Sequence, residues 1–137
     1  MLVNVLLIDD EPEILELFSQ LFDESRFDVQ LASTALDAMV LLEQSPIDIV
    51  VSDMRMPGKE TGLDVLSFIN SHKLNCKFIM QTGYASIELA IKAMKEGAFD
   101  FILKPVNISH FLAIIEKAYQ AVLKERETSI LKEENTR

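Results

Sequence analysis

Residues 3–12, VNVLLIDDEP, join a short apolar run to three acidic residues and a proline. The run from Val3 to Ile8 shows no polar alternation, which is typical of a strand that is buried on both faces of a parallel sheet. Pro12 lies where a helix would begin, because proline is favoured at the first helical position and acidic residues stabilise that end of a helix. The segment therefore predicts a buried strand, an acidic turn and a helix.

The same unit recurs along the 137 residues of the chain. Apolar runs predict strands at Val3–Ile8, Phe27–Ala32, Ile47–Ser52, Lys77–Thr82 and Phe99–Leu103. Apolar residues at helical spacing follow each strand, and they predict five helices, of which the third is the weakest. Because parallel neighbouring strands need helical crossovers, the pattern predicts one α/β domain with a doubly wound, five-stranded parallel sheet.

Helix start and stop signals agree with this assignment. Ser33 or Thr34 is a candidate amino-terminal cap for the second helix, and Ser109 for the last one. Gly97 lies just after the fourth helix, where a residue in the left-handed conformation is often required.

Composition and charge exclude several classes of function. Thirteen basic against 22 acidic residues give a net charge of −9, so a polyanion such as DNA would be repelled unless the charge is very unevenly spread. A single cysteine, Cys76, can form neither an internal disulfide nor a cysteine-based zinc cluster. No apolar run approaches the ~20 residues of a membrane span, and the amino terminus lacks a basic leader. We therefore expect a cytoplasmic protein that contacts neither nucleic acid nor membrane directly.

Polar residues follow or end four of the predicted strands: Asp9 and Asp10, Asp53, Thr82 and Lys104. In open α/β sheets, ligands bind at this carboxyl edge. Carboxylates that lie close together repel unless a cation neutralises them, and Mg²⁺ binds carboxylate oxygens together with substrate oxygens. Thr82 and Lys104 can donate to a phosphoryl group, and an aspartate can act as a nucleophile. The edge therefore predicts magnesium-dependent phosphoryl transfer.

These residues belong to motifs that resemble the receiver domain of two-component response regulators, over roughly residues 2–124. The motifs are residues 7–12 (LIDDEP), 52–57 (SDMRMP), 82–84 (TGY) and 97–105 (GAFDFILKP). The resemblance implies the flavodoxin-like strand order 2-1-3-4-5. It also implies a bacterial signalling protein that is phosphorylated and is not a conventional enzyme. The chemistry of such a protein is limited to self-phosphotransfer and slow autodephosphorylation.

The resemblance also implies roles for the residues of the acidic edge. Asp53 is the expected phosphoacceptor, which receives its group from a sensor histidine kinase or a phosphotransfer protein. Asp10, Asp53 and the backbone carbonyl of Arg55 are expected to bind Mg²⁺, for which Mn²⁺ can substitute, and Asp9 to act through water. Lys104 is expected to pair with the phosphoryl oxygens, and its bond to Pro105 to be cis.

Thr82 and Phe101 are the expected switch residues. On phosphorylation Thr82 would turn to a phosphoryl oxygen and Phe101 would move inward, which would change the surface of the fourth helix, fifth strand and fifth helix. That surface is also the expected site of a homodimer. Arg55 and Tyr84 match positions that flank the path of the hydrolytic water, and both are bulky, so we expect a long-lived phosphoryl group.

Two departures from the family pattern are visible. The loop between Pro57 and Gly62 has one residue more than the commonest spacing, which leaves its conformation open. Phe101 stands where many relatives have tyrosine, so the hydroxyl hydrogen bond of the outward state is absent.

The chain changes character after residue 124. Residues 125–137 are charged and lack glycine and proline, and they are either the frayed end of the last helix or a helical linker. We expect a receiver domain at 1–124 and a charged helical tail or linker at 125–137, towards an output domain. Two other functions stay open, an unphosphorylated interaction module and a magnesium-dependent aspartyl phosphatase. The phosphatase would need a carboxylate where the chain has Arg55.

Overall fold

The computed structural model describes residues 1–56, 58 and 60–135, apart from the side chains of residue 84 and residues 133–135. Within this part of the chain, five strands alternate with five α-helices. In chain order these are β1 (Val3–Ile8), α1 (Pro12–Ser19), β2 (Phe27–Ala32), α2 (Ala35–Gln44), β3 (Ile49–Asp53), α3 (Gly62–Ser71), β4 (Lys77–Thr82), α4 (Ile87–Lys95), β5 (Asp100–Leu103) and α5 (Ile108–Asn135). A 3-10 turn, Tyr84–Ser86, precedes α4.

The strands form one parallel sheet in the order β2-β1-β3-β4-β5, which confirms the expected fold and strand order. Three strand boundaries, in two strands, differ by one or two residues from the prediction. β3 begins at Ile49 and includes Asp53, whereas β5 begins at Asp100. The predicted weak third helix is a regular helix of ten residues.

Each face of the sheet is covered by an apolar layer, and alternate residues of the central strands belong to opposite layers. On one face, Leu6, Val50 and Met80 pack with residues of α2, α3 and α4. On the other face, the sheet packs against α1 and α5, where Phe111 of α5 is fully buried. Burial on both faces explains why the strands read as continuous apolar runs.

The helix ends show which sequence signals were correct. Thr34 Oγ1 accepts a hydrogen bond from the Asp37 N–H at 3.0 Å, so Thr34 caps α2 as predicted. Gly97 has φ of +101°, as its predicted position after α4 requires. The prediction for Ser109 was wrong. The helix α5 begins at Ile108, two residues before the start that a Ser109 cap requires, and the Asn107 side chain accepts from the His110 N–H at 3.0 Å.

The last helix is continuous well beyond the predicted domain boundary. α5 runs from Ile108 to Asn135, so the charged segment is helical as far as that residue. Arg126, in this segment, donates to Asp48 Oδ2 at 2.9 Å. Thr136 and Arg137 lie outside the described residues. In the described part of the chain, no helix combines the length and apolar character needed to cross a bilayer.

Candidate functional site

Four parallel strands end at one edge of the sheet, and this topology brings the predicted site residues together. Asp53 is the last residue of β3 and Thr82 the last residue of β4. Asp9 and Lys104 directly follow β1 and β5. Because neighbouring parallel strands run in register here, these side chains meet at one carboxyl edge.

Three carboxylates form a cluster at this edge. One oxygen from each of Asp9, Asp10 and Asp53 lies within 4.8 Å of the others. Asp9 and Asp53 are 5% and 7% exposed, whereas Asp10 faces solvent. Burial raises the pKa of Asp9, a hydrogen bond from the Glu11 N–H to its Oδ1 at 2.9 Å opposes that rise, and the nearby Asp53 charge adds to it. The carboxylates of the cluster therefore repel one another, and a bound cation would reduce that repulsion.

Lys104 supplies one cation from the protein itself. Its Nζ donates to Asp53 Oδ1 at 2.8 Å, which joins residues 51 positions apart in the chain. The Lys104–Pro105 peptide bond is cis, as expected. This contact pairs the ammonium group with Asp53. It does not pair a cation with Asp9 or Asp10, the other two carboxylates of the cluster.

The donor set fits a magnesium ion. Mg²⁺ prefers hard oxygen ligands and keeps several waters while it binds one or two carboxylates. The cluster offers buried carboxylates from Asp9 and Asp53 and an exposed one from Asp10, so the opening towards solvent leaves room for water ligands. The predicted ligand role of the Arg55 carbonyl stays a prediction. Arg55 is exposed and lies two residues after the end of β3, between the buried Met54 and Met56.

The two predicted switch residues lie on the face of the sheet that α2, α3 and α4 cover. Thr82 is buried, and its hydroxyl lies 3.4 Å from the carbonyl oxygens of Gly83 and Ser86, at the long limit of a hydrogen bond. Phe101 is half-buried against the same apolar layer. The Thr82 hydroxyl is thus directed to the turn before α4 in this structure.

Sequence reasoning did not identify two residues that position Asp53. A Cβ on Gly62 would lie 2.7 Å from the Asp53 carbonyl oxygen and 3.0 Å from Met80 Sδ, so only glycine permits this approach of α3. The Gly62 N–H also donates to the Met54 carbonyl at 3.0 Å. Ser52 Oγ donates to the Asp53 carbonyl at 3.0 Å. These contacts hold the main chain around Asp53 from the α3 side of the sheet.

Gln81 is a third residue that the prediction missed, although the sequence held a signal. It interrupts an apolar strand with an amide, and a buried polar residue is more informative than a buried apolar one. Gln81 is 4% exposed and pairs in register with Asp53. Its carbonyl also accepts a hydrogen bond from the Met54 N–H at 2.9 Å.

The two predictions about the loops beside the site concern residues that the structure describes only in part. Pro57 and Lys59 of the lengthened loop are not described, and Gly58 between them has φ of +97°. The side chain of Tyr84, which was expected to flank the hydrolytic water, is likewise outside the described part of the chain.

Comparisons with known proteins agree with this geometry. A family model described as the response regulator receiver domain matches residues 5–116. The response regulator protein PilR of Pseudomonas aeruginosa is 35% identical over 84% of this chain and 26% of its own length. The regulatory protein AtoC of Escherichia coli is 31% identical over 85% of this chain and 25% of its own length. The chain therefore spans about a quarter of the length of these relatives.

A solved structure shows the same fold. The crystal structure of the signal receiver domain of a putative Luxo repressor protein from Vibrio parahaemolyticus superimposes with a TM-score of 0.86. The two are 26% identical, and the match covers 93% of this chain and 98% of that one.

Proposed function

This chain belongs to the response regulator receiver domain family of bacterial two-component systems, and from that premise we propose that it is a switch activated by phosphorylation of Asp53. Receiver domains are signalling switches and not conventional enzymes. The observation that supports Asp53 as the acceptor is its contact with Lys104, at 2.8 Å, inside a cluster with Asp9 and Asp10.

In the proposed reaction an Asp53 carboxylate oxygen attacks the phosphorus of a phosphohistidine on a sensor kinase or a phosphotransfer protein. The new O–P bond forms as the N–P bond breaks, and the imidazole leaves with the electron pair and takes up a proton. Lys104 already binds Oδ1 of Asp53, so we assign the attack to the other oxygen. After transfer, the ammonium group of Lys104 pairs with a phosphoryl oxygen.

Asp10 and Asp53, with the carbonyl of Arg55, would hold Mg²⁺ or Mn²⁺ directly, and Asp9 would do so through water. When bound, the metal ion supplies positive charge that offsets the repulsion between the carboxylates and the incoming phosphoryl oxygens. Burial raises the pKa of Asp9 and the charge of Asp53 adds to that rise, and a bound cation would oppose both effects.

Phosphorylation would be transmitted through Thr82. Its hydroxyl would exchange the long contact with the Ser86 carbonyl, 3.4 Å in this structure, for a hydrogen bond to a phosphoryl oxygen. Phe101, half-buried two residues away from the end of β5, would then move inward. The resulting change of the α4-β5-α5 surface would control a partner, a second copy of the chain, or an output domain reached through residues 125–137.

We propose a long phosphoryl lifetime for the same site. Arg55 is exposed two residues after Asp53, where its side chain can restrict the approach of water, and Tyr84 matches the second flanking position. Arg55→Ala and Tyr84→Ala are expected to shorten the half-life of the phosphorylated protein. Unchanged half-lives in both variants would contradict this proposal.

The experiment that tests the function is intact mass spectrometry after incubation with acetyl phosphate and Mg²⁺. We expect a gain of one phosphoryl group, which is prevented by prior addition of EDTA and is absent from Asp53→Ala. Asp28→Ala, which removes an exposed aspartate of β2, is the matched control and should be phosphorylated normally. No gain in any condition would instead favour the unphosphorylated interaction module.

A further inference from the structure

Gln81 places an amide beside the acidic cluster. It pairs in register with Asp53 across β3 and β4. Side chains alternate between faces along a strand, so Gln81, Asp53 and Asp9 share a face with the residues two positions before them. Those residues, which all pack in the layer beneath α1 and α5, are Ile79, Val51 and Leu7. Gln81 is therefore on the same face of the sheet as the two buried carboxylates.

The surroundings of Gln81 are otherwise apolar. The side chain is 4% exposed, and the layer that it joins is built from aliphatic and aromatic residues. An amide that is buried without a hydrogen-bond partner costs about 1–3 kcal/mol relative to one that has a partner. A glutamine at this position therefore requires a polar group nearby.

A small cavity connects Gln81 with such a group. The cavity has a volume of about 10 Å³ and lies between the sheet, α1 and Phe111 of α5. Asp9 and Gln81 are its two polar residues, and the other residues that line it are apolar. Its volume is close to the minimum of about 10–15 Å³ that one water molecule requires.

The main chain holds one side of the Asp9 carboxylate. The Glu11 N–H donates to Oδ1 at 2.9 Å, which anchors one oxygen to the main chain after β1. A water in the cavity would accept a hydrogen bond from the Gln81 amide and donate one to the Asp9 carboxylate. The carboxylate would then be oriented from both sides.

We propose that Gln81 is a positioning residue that orients the Asp9 carboxylate through one water in this cavity and thereby strengthens Mg²⁺ binding by the acidic cluster. The inference rests on the proposed function, because it requires that the cluster binds Mg²⁺. Groups that hydrogen-bond to metal ligands fix their orientation, and their loss weakens metal binding. Asp9, which would reach the ion through water, is such a group here, and Gln81 would act on Asp9.

The test compares Gln81→Met, which keeps the length of the side chain and removes the amide, with wild type. Ile79→Val is the matched control, because it changes a buried residue of the same strand and face without a polar group. Calorimetry measures the Mg²⁺ dissociation constant of the unphosphorylated proteins, and urea unfolding in EDTA measures their stability. Gln81→Leu is the second apolar variant, in case methionine is not accommodated.

We expect the Mg²⁺ dissociation constant of Gln81→Met to rise by about threefold, below the effect of a group that hydrogen-bonds directly to a ligand. The effect is small because one water separates Gln81 from Asp9 and another separates Asp9 from the ion. Stability in EDTA should be equal to or above that of wild type, since an apolar side chain replaces a buried amide. A crystal structure of wild type should show the water between Asp9 and Gln81, and that of Gln81→Met should lack it.

Two results would overturn the proposal. One is Mg²⁺ binding by Gln81→Met and Gln81→Leu that matches wild type, and the other is an equal loss of binding in Ile79→Val. If wild type binds Mg²⁺ and is phosphorylated while the Gln81 variants behave normally, only the role of Gln81 fails. If wild type binds no Mg²⁺ at all, the proposed function fails together with it.

Discussion

Lys104 Nζ lies 2.8 Å from Asp53 Oδ1, so the cation that follows β5 contacts one of three clustered carboxylates. The same edge holds Asp9, which is 5% exposed and has a raised pKa that is caused mainly by burial. In the absence of a metal ion, Lys104 should therefore stabilise the fold, whereas the charge of Asp9 should destabilise it.

Two substitutions are expected to change stability in opposite directions. Lys104→Met keeps the aliphatic stem and removes the cation, which should lower the free energy of unfolding by about 1 kcal/mol, a modest value because Lys104 is 40% exposed and solvent screens the pair. Asp9→Asn removes a buried like charge and should raise the free energy of unfolding by a similar amount, about 1 kcal/mol. Urea unfolding in EDTA at pH 7 measures both effects. A stabilised Lys104→Met or a destabilised Asp9→Asn would show that repulsion does not dominate this cluster.

Gly62→Ala is expected to disturb the acceptor. The new Cβ would lie 2.7 Å from the Asp53 carbonyl oxygen, and the backbone of a central strand cannot move away easily. We expect a loss of about 1–3 kcal/mol in the free energy of unfolding, which is typical of overpacking, together with slower phosphorylation by acetyl phosphate. Gly83→Ala is the control, because a Cβ there would meet no heavy atom within 4 Å. Equal behaviour of the two variants would argue against a steric role of Gly62.

The case of Gly62 shows why only part of the site could be predicted from the sequence. The carboxyl ends of the strands of a parallel sheet lie at one edge, so the positions of Asp9, Asp53 and Lys104 alone placed them at that edge. The strand order, which puts β3 beside β1, came from the family resemblance. The distance between α3 and the Asp53 carbonyl depends on how two elements pack, and a glycine at a helix start does not reveal it.

The sequence also could not show which of two similar polar groups makes a given hydrogen bond. Ser109 and Asn107 can both accept a hydrogen bond from a helix amino terminus, and the start of α5 at Ile108 decides in favour of Asn107. Thr82 could direct its hydroxyl to Asp53 or to the turn before α4. The sheet places it on the face opposite to the carboxylates, near the Ser86 carbonyl.

Cys76 is expected to react slowly in the folded protein. Burial raises the pKa of its thiol from 9.0 to about 11, and only the thiolate reacts quickly with alkylating agents. At pH 9, iodoacetamide should modify the folded protein more than about tenfold more slowly than the urea-unfolded chain. Because the chain has one cysteine, intact mass reports this thiol alone. Equal rates would mean that the thiol is accessible and ionises normally.

The same pKa shift predicts how stability depends on alkaline pH. The folded thiol keeps its proton at a pH where the unfolded thiol has lost it, so its contribution to stability is complete below pH 9.0 and is lost as the pH rises to about 11. The difference between the unfolding free energies of wild type and Cys76→Ser should therefore become smaller across this interval. A difference that is constant with pH would contradict the shift.

Arg126 ties the extension of α5 to the edge of the sheet opposite to Asp53. It donates to Asp48 Oδ2 at 2.9 Å and to the Leu2 carbonyl at 3.3 Å. Asp48 also accepts a hydrogen bond from the Asn4 N–H at 2.8 Å. These contacts join the helix beyond residue 124 to the starts of β1 and β3, so the direction of a linker would be set by the receiver domain.

Arg126→Met should release this part of the helix. We expect faster amide hydrogen exchange over residues 124–135, with a coupling energy between Arg126 and Asp48 of about 1 kcal/mol in a double-mutant cycle, because both side chains are partly exposed. Lys124→Met, at an exposed position of the same helix, is the control and should leave the exchange unchanged. If Arg126→Met exchanges like wild type, helix propensity alone holds the extension, and its direction does not depend on the sheet.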